Sequence, residues 1–358
     1  MKSSLIRFLT FGATMSSWTY VTIFARELGL TDPEIGSIVA IYSIALLISS
    51  SVFGRASDKF GRKLFLLAGL TFSSAAFFSQ VFVFDYLSLL AARTSIGFCM
   101  GIYSASLVAY VHEGKKSLSK FISFGSLGWG LGTMAAGLIA VNFTIIGVFV
   151  FSAFLCFVAM MTALTMPFDK PVSIDVPKFP LEIIRKNLSL YLAVLIRHSG
   201  AHMIWTFWPL FLQSIGADLF WIGVIQMMNS LAQFGFMYTL SGRIKYVPSI
   251  ILGLVLSGVT FFLFTLVTDF WQILPMQILL GVSWSLLYVG GLRYLMDKNI
   301  ERGTASGLFD SVLGLSSVLG PLMATFVISF GGYATTMILA SGLAFASPVI
   351  TRLWNQRT

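Results

Sequence analysis

Apolar runs of about twenty residues recur along the whole chain, and this feature limits the folds open to it more than any other. A helix needs roughly 20 apolar residues to cross a bilayer. Twelve runs reach that length, which predicts an all-α polytopic membrane protein with twelve transmembrane helices. The runs cover residues 4–27, 33–54, 64–83, 86–111, 119–140, 143–166, 188–214, 219–240, 247–268, 270–294, 304–329 and 332–353.

The composition agrees with a surface that faces lipid. Of the 358 residues, 57% are hydrophobic and only 10% are charged, whereas a soluble domain carries about 25% charged residues. The first run continues to Phe24 with bulky aromatic residues, so we expect a retained helix rather than a cleaved signal peptide. Cys99 and Cys156 both fall inside runs, where cysteine behaves as a small hydrophobic residue. No disulfide framework or metal site is therefore predicted.

The positions of the basic residues along the chain indicate its topology in the membrane. With twelve helices, 20 of the 23 Lys and Arg residues fall on one face of the membrane. Arg26 lies on the other face, and Arg93 and Arg197 lie inside runs. Because Lys and Arg are enriched on the cytoplasmic side, both termini are expected in the cytoplasm and the protein in the plasma membrane. The net charge of +9 therefore does not indicate a nucleic-acid partner.

The chain repeats its own pattern at a nearly constant offset. Ser17-Trp18-Thr19-Tyr20 corresponds to Ile204-Trp205-Thr206-Phe207, and Ile35-Gly36 to Ile222-Gly223, each 187 positions later. Six predicted helices precede the second copy, so the two halves share an orientation in the membrane. This predicts two parallel-related six-helix bundles at residues 1–166 and 188–358. A proline-containing cytoplasmic linker, 167–187, joins them and is expected to be semi-extended rather than helical.

Residues 54–63 read G-R-A-S-D-K-F-G-R-K and separate two apolar runs as a tight basic turn. The spacing resembles the loop between the second and third helices of the major facilitator superfamily. The resemblance implies a conformational latch, in which Asp58 meets the start of the eleventh helix near Gly303. The alternative is that these charges only enforce topology. The latch residues implied are Gly54, Arg55, Asp58, Gly61, Arg62 and Lys63.

Two further segments resemble patterns of the same superfamily. Arg93 begins R-x-x-x-G-x-x-x-G in the fourth run, a pattern that the resemblance associates with proton coupling. An arginine in hydrocarbon is costly and needs a function or a partner, although an arginine that reaches the membrane interface is the alternative. The fifth run is rich in glycine, as in exporters of the family, but it lacks their usual proline. Close helix packing is the favoured role of these glycines.

The seventh run carries an unusual cluster, Arg197-His198-Ser199-Gly200-Ala201-His202. Arg197 lies ten residues after Asn187, hence about 15 Å along a helix and close to mid-bilayer. His198 and His202 share a helix face, and a zinc site is not favoured because no acidic or Cys ligand lies nearby. Packing roles are the alternative for both histidines. Asp310, inside the eleventh run, is expected to pair with Arg197 in one conformational state.

Polar and aromatic residues elsewhere are candidates for the lining of a central cavity, with plain packing as the alternative. The eighth run has a polar stripe, and such side chains turn away from lipid. The candidate lining residues are Trp18, Tyr20, Trp205, Trp208, Gln226, Asn229, Gln233 and Gln277.

These features predict a secondary transporter that moves a small solute by alternating access, with protons as the driving ion. No phosphate-binding loop signature is present, so ATP is not expected to drive it. No cofactor is expected, and the protein is expected to act as a monomer. Efflux of amphipathic compounds is favoured, with uptake or exchange of a small organic anion as the alternative. From other classes, a non-transporting membrane sensor and a membrane-embedded enzyme are the alternatives, and enzymatic activity is not expected.

Overall fold

The computed structural model describes residues 2–113, 118–167, 181–240, 245–299 and 302–355, and for some residues inside helices it describes the backbone alone. Over these ranges the chain forms helices joined by short turns, without a β-strand. The helices are α1 (Lys2–Glu27), α2 (Asp32–Phe60), α3 (Arg62–Ser79), α4 (Tyr86–Glu113), α5 (Leu118–Asn142), α6 (Ile145–Leu164), α7 (Leu181–Lys186), α8 (Leu188–Ser214), α9 (Leu219–Leu240), α10 (Tyr246–Leu263), α11 (Ile273–Lys298) and α12 (Arg302–Asn355).

Among the described residues, eight helical segments are long and apolar enough to cross a membrane. The last of them, Ala305–Val349, has 45 residues, about twice the length of one crossing. It is interrupted at Gly332, whose φ of 65° and ψ of −160° are not helical. The all-helical membrane fold predicted from the sequence is confirmed, while the number of twelve crossings stays a prediction.

The helices α1 and α8 are not among the eight segments, because polar residues lower their hydropathy. These polar residues are largely enclosed by protein. In α8, 18 of the 27 residues are buried, Arg197, Ser199 and Thr206 among them. A helix surrounded by other helices tolerates polar side chains that would be costly against lipid.

The expected ten-residue turn at residues 54–63 is wrong in its extent. Helix α2 continues through Phe60, and only Gly61 separates it from α3. Residues 55–60 contain no glycine or proline, so nothing in the local sequence ends the helix there. Gly61 ends it, since its φ of 97° and ψ of 148° belong to a backbone region that is essentially restricted to glycine.

The interdomain linker also differs from its expected conformation where it is described. Leu181–Lys186 forms the short helix α7, whereas a semi-extended segment was expected throughout 167–187. The four prolines that predicted extension lie before residue 181, and the six residues that follow contain no helix breaker. The linker residues 168–180 lie outside the described ranges.

The ends of α1 and α8 agree with the internal repeat. Helix α1 ends at Glu27 and α8 at Ser214, 187 positions apart. Each end is followed by a glycine with positive φ, Gly29 at 82° and Gly216 at 89°. Three backbone hydrogen bonds recur at the same offset: Leu28–Phe24 with Ile215–Phe211, Gly29–Arg26 with Gly216–Gln213, and Ile35–Thr31 with Ile222–Asp218.

The chain divides into two compact units. Unit 1 comprises Met1–Asp175 with Ala217–Ser230, and unit 2 comprises Val176–Gly216 with Leu231–Thr358. The core of unit 1 includes the buried side chains of Leu66, Phe77, Tyr103, Phe121 and Cys156. The core of unit 2 includes those of Leu190, Leu254, Leu287 and Phe309. The domain boundaries at 166 and 188 stay a prediction.

Small residues allow α1 and α5 to approach closely in unit 1. A Cβ atom on Gly132 would lie 2.6 Å from the Cα of Gly12, and one on Gly128 would overlap the carbonyl oxygen of Phe8. The glycine-rich segment of α5 thus has the packing role that was favoured from its sequence.

A reciprocal amide pair connects the start of α8 with the end of α11 in unit 2. Asn187 Nδ2 donates to Asn299 Oδ1 at 3.0 Å, and Asn299 Nδ2 donates to Asn187 Oδ1 at 3.1 Å. Both side chains are buried, and each amide also donates to a backbone carbonyl, of Ile183 or Leu295. Because their hydrogen bonds are satisfied, these amides hold the helix ends together at little desolvation cost.

Candidate functional site

Arg197 is the centre of the candidate site in unit 2. Its side chain is only 2% exposed. Nε donates to Ser257 Oγ of α10 at 2.9 Å, and Nη1 lies 3.2 Å from His198 Nδ1. The guanidinium carbon lies 5.3 Å from the ring centres of both Phe261 and Trp284. Hydroxyl and aromatic groups, rather than a carboxylate, make these contacts with the buried cation.

The two histidines of α8 continue the cluster. The ring of His198 stacks on Trp284 of α11 at 4.7 Å, with an angle of 17° between planes. The ring of His202 meets His198 edge to face at 4.8 Å. The Nδ1 atom of His202 and the Oγ atom of Ser199 are buried without a hydrogen-bond partner among the described residues.

Helix α12 approaches the same face of α8 at Gly320. A Cβ atom on Gly320 would lie 2.7 Å from the carbonyl oxygen of Ser199 and would overlap His202 Cβ. Farther along α8, Gly200 lies beside Ala340, where a Cβ would be 3.1 Å from the neighbouring Cα. Small residues therefore let α12 pack on the histidine-bearing helix.

Unit 1 contains a second buried arginine with similar surroundings. Arg93 of α4 is 2% exposed, and its Nη1 donates to Ser17 Oγ of α1 at 3.1 Å. The guanidinium lies 4.5 Å from the ring centre of Tyr42 and 5.7 Å from that of Trp18. Ser17 in turn donates to Gln80 Oε1 at 3.1 Å. Arg93 is thus enclosed by other helices of unit 1, and its depth in the membrane stays a prediction.

Asp310 has an exposed side chain in α12, although it was expected to be deep in a helix and buried. The recorded contacts of Arg197 are with Ser257, His198, Phe261 and Trp284. A pair between Arg197 and Asp310 in another conformational state stays a prediction.

Most of the candidate cavity residues are buried. Trp18 and Trp205 are partly exposed, whereas Trp208 is 1% exposed and packs against Phe211 and Phe264. Tyr20 is also buried, and its hydroxyl donates to the carbonyl oxygen of Leu219 within unit 1 at 2.6 Å. The remaining candidates are buried too: Gln226, Asn229, Gln233 and Gln277.

The latch residues are described only in part. The side chains of Arg55 and Asp58 lie outside the described set. Arg62 Nη1 donates to Ser57 Oγ at 2.8 Å across the α2–α3 turn, and Lys63 is exposed. Gly54 lies within α2 and Gly61 forms the turn. The latch itself stays a prediction.

Three residues that contact the two arginines, Ser257, Trp284 and Tyr42, were missed in the sequence. Ser257 and Trp284 lie in the ninth and tenth apolar runs, and Tyr42 lies in the second. The two serines of Ser283-Trp284-Ser285 interrupt an otherwise apolar run. This interruption could have identified Trp284 as a candidate from the sequence. Among the described residues, no group of three or more His, Cys, Asp or Glu is placed to hold a metal ion.

Comparisons with known proteins agree over most of the chain. An uncharacterized MFS-type transporter of Methanocaldococcus jannaschii is 25% identical, with 91% of this chain and 89% of the relative covered. Multidrug resistance protein 1 of Bacillus subtilis is 23% identical, with 89% and 88% covered. The class B tetracycline resistance protein of Escherichia coli is 24% identical, with 80% and 77% covered.

Solved structures with the same fold include the nucleoside transporter NupG. Its crystal structure aligns with a TM-score of 0.76 at 17% identity, covering 98% of both chains. A point mutant of it aligns with a TM-score of 0.81 at 14% identity, covering 99% of this chain and 98% of the other. At this identity the likeness shows the fold alone.

The family model described as Major Facilitator Superfamily matches residues 3–245. This match confirms the resemblance seen in the sequence, and with it the expectation of a membrane transport protein rather than an enzyme. The chain belongs to the Major Facilitator Superfamily.

Proposed function

We propose that this protein is a proton-coupled secondary transporter that moves a small solute across the plasma membrane by alternating access. The proposal includes twelve membrane crossings, both termini in the cytoplasm, a monomeric working unit and no use of ATP. Its main support is the combination of the family match with two buried arginines, Arg93 and Arg197, inside helices of a membrane protein. Ionisable residues at membrane depth are costly and mark ion or substrate pathways in such proteins.

The lengths of three further helices support the number of crossings. Helices α1, α4 and α8 have 26, 28 and 27 residues, which at about 1.5 Å per residue exceeds the thickness of a hydrocarbon core of about 30 Å. If these three cross the membrane and Ala305–Val349 crosses it twice on either side of Gly332, the eight apolar segments become twelve crossings.

Efflux of amphipathic compounds is the favoured direction and substrate class. Several of the relatives are resistance proteins for multiple drugs, quinolones or tetracycline. The partly exposed rings of Trp18 and Trp205 would suit the apolar part of such a solute, since aromatic side chains offer large contact areas.

The test is transport in liposomes that contain only the purified protein. A fluorescent amphipathic dye should move against its concentration gradient when a proton gradient is imposed, and a protonophore should abolish this movement.

The variant Arg93→Gln should reduce gradient-driven movement at least about tenfold, because it removes a buried charge within the proposed pathway. The exposed Arg26→Gln serves as the matched control. Dye movement at the same rate with and without a proton gradient would contradict the proposal. Binding of a ligand without any transport would favour a membrane sensor.

A second candidate is the uptake or exchange of a small organic anion. The observation that favours it is the environment of Arg197, whose recorded contacts are hydroxyl, imidazole and aromatic groups. A guanidinium in such surroundings attracts carboxylates or phosphates.

A further inference from the structure

The contact between Arg197 and His198 determines which nitrogen of the histidine carries a proton. Arg197 Nη1 lies 3.2 Å from His198 Nδ1. A guanidinium has five N–H donors and no acceptor. His198 Nδ1 must therefore accept this hydrogen bond, so the ring is neutral and carries its hydrogen on Nε2.

This hydrogen bond also blocks the position at which His198 would take up a second proton. The lone pair of Nδ1 points to the guanidinium, and protonation there would place two cations in contact. In a poorly polarisable interior such a pair repels strongly. His198 therefore becomes able to accept a proton when Arg197 turns to another acceptor.

Among the residues that the structure describes, the groups in contact with Arg197 and His198 are hydroxyl, imidazole and aromatic groups. His202 contacts His198 from the same helix, and Ser257 and Phe261 approach from α10. On α11, Trp284 stacks on His198 and Tyr288 lies next to Trp284. On α12, Gly320 contacts His202, and Asp310 lies ten residues earlier, about 15 Å along the helix.

Two polar atoms beside the cluster have no hydrogen-bond partner among the described residues. They are Ser199 Oγ and His202 Nδ1, and Ser199 is 4% exposed. An unsatisfied buried polar group costs roughly 1–3 kcal/mol, so such a group calls for an explanation. A ligand bound beside these residues would supply a hydrogen-bond partner for such a group.

We infer that Arg197 and His198 form a binding site in which an organic carboxylate and a proton bind together. The carboxylate accepts hydrogen bonds from the guanidinium, whose planar geometry suits both of its oxygens. Arg197 then releases His198 Nδ1, which takes up one proton from water. The inference rests on the second candidate function, the uptake or exchange of a small organic anion. It names the substrate class and the residue that carries the proton.

The test measures binding and proton uptake in the purified protein, without transport. Benzoate and butyrate are titrated by calorimetry, each beside its neutral amide, in two buffers of different ionisation heat. The carboxylates should bind at least about tenfold more tightly than the amides, since a charged hydrogen bond is replaced by a neutral one. One proton should be taken up for each carboxylate bound. By linkage, the affinity should rise up to about tenfold for each unit of decreasing pH.

Two variants separate the roles of the residues. His198→Asn keeps a side-chain acceptor for Arg197, so it should bind carboxylate and take up no proton. Arg197→Gln removes the guanidinium, so it should bind the carboxylates at least about tenfold more weakly than the unaltered protein does. The exposed Arg26→Gln is the matched control and should behave as the unaltered protein. If Arg197→Gln does not fold, the comparison of His198→Asn with the unaltered protein still tests the inference.

The inference is overturned if carboxylates bind without proton uptake, or if His198→Asn takes up the proton as before. It is also overturned if no carboxylate binds to a preparation that transports another solute. Absence of gradient-driven flux for every solute, with carboxylate and proton binding intact, would instead contradict the transport function alone.

Discussion

Gly97 and Gly101 show how single atoms determine the packing of α4 against α2 in unit 1. A Cβ atom on Gly101 would lie 2.6 Å from Ser49 Cβ and from the backbone nitrogen of Ser50, and one on Gly97 would overlap the carbonyl oxygen of Tyr42. Both glycines belong to the pattern that begins at Arg93. They hold α4 close to α2, and this proximity brings the ring of Tyr42 to 4.5 Å from the Arg93 guanidinium.

Gly101→Ala should destabilise the protein by about 1–3 kcal/mol, since the added methyl group overpacks a contact between two helices. The measurement is the midpoint of thermal unfolding in detergent. Gly342→Ala is the matched control, because a Cβ there meets no atom within 4 Å. The control should be neutral or stabilising, as alanine favours a helix. Equal shifts in the two variants would contradict the packing argument.

At the scale of the element, the α2–α3 turn depends on one residue. Gly61 has a φ of 97° and separates two helices that run to Phe60 and from Arg62. The hydrogen bond from Arg62 to Ser57 spans this turn. The basic residues of segment 54–63 therefore lie in the end of α2 and the start of α3. The chain reverses direction at Gly61 alone.

Gly61→Ala should lower stability by about 1–3 kcal/mol, because side chains rarely adopt this backbone conformation. Gly307→Ala in α12 is the control, since a Cβ there meets no atom within 4 Å. Thermal unfolding of both variants in detergent gives the comparison. A neutral Gly61→Ala, with Gly307→Ala also neutral, would show that the turn tolerates another conformation.

At the scale of the whole molecule, the distribution of basic residues and the number of crossings together predict which side of the membrane each turn faces. With twelve crossings and cytoplasmic termini, Phe143 between α5 and α6 faces the outside and Lys63 at the start of α3 faces the cytoplasm. Both side chains are exposed, so a cysteine at either position is open to a reagent.

In a variant without Cys99 and Cys156, a cysteine in place of Phe143 should react with an impermeant thiol reagent in intact cells. A cysteine in place of Lys63 should react only after the membrane is opened. The expected contrast follows from the enrichment of Lys and Arg on the cytoplasmic side. Labelling of both positions in intact cells would refute the topology.

Much of the architecture was predictable because it depends on local properties of the chain. The bounds of α8 and α9 agree with the apolar runs 188–214 and 219–240. The repeat was visible in the sequence, and its helix ends at Gly29 and Gly216 follow from the ease with which glycine adopts positive φ. The extent of α2 was mistaken, since charged residues were interpreted as a turn although helices readily continue through them.

The candidate site could be predicted only in part. Sequence alone selected Arg93, Arg197, His198 and His202, because charged and titratable residues stand out in an apolar run. It offered Trp208 as a candidate for the cavity lining with packing as the alternative, and in the structure this side chain is 1% exposed and packs against Phe264. An aromatic residue looks the same in a sequence whether it contacts a solute or another ring.

The length of the apolar runs, the repeat and the membrane environment were determined by the sequence itself, since each follows from hydrophobicity and local backbone preference. The partners of the buried cations were decided by the tertiary structure. Ser257 and Trp284 lie 60 and 87 positions after Arg197, and only the packing of α10 and α11 on α8 brings them to it. No local preference specifies contacts across such distances in the chain, because they depend on how whole helices pack.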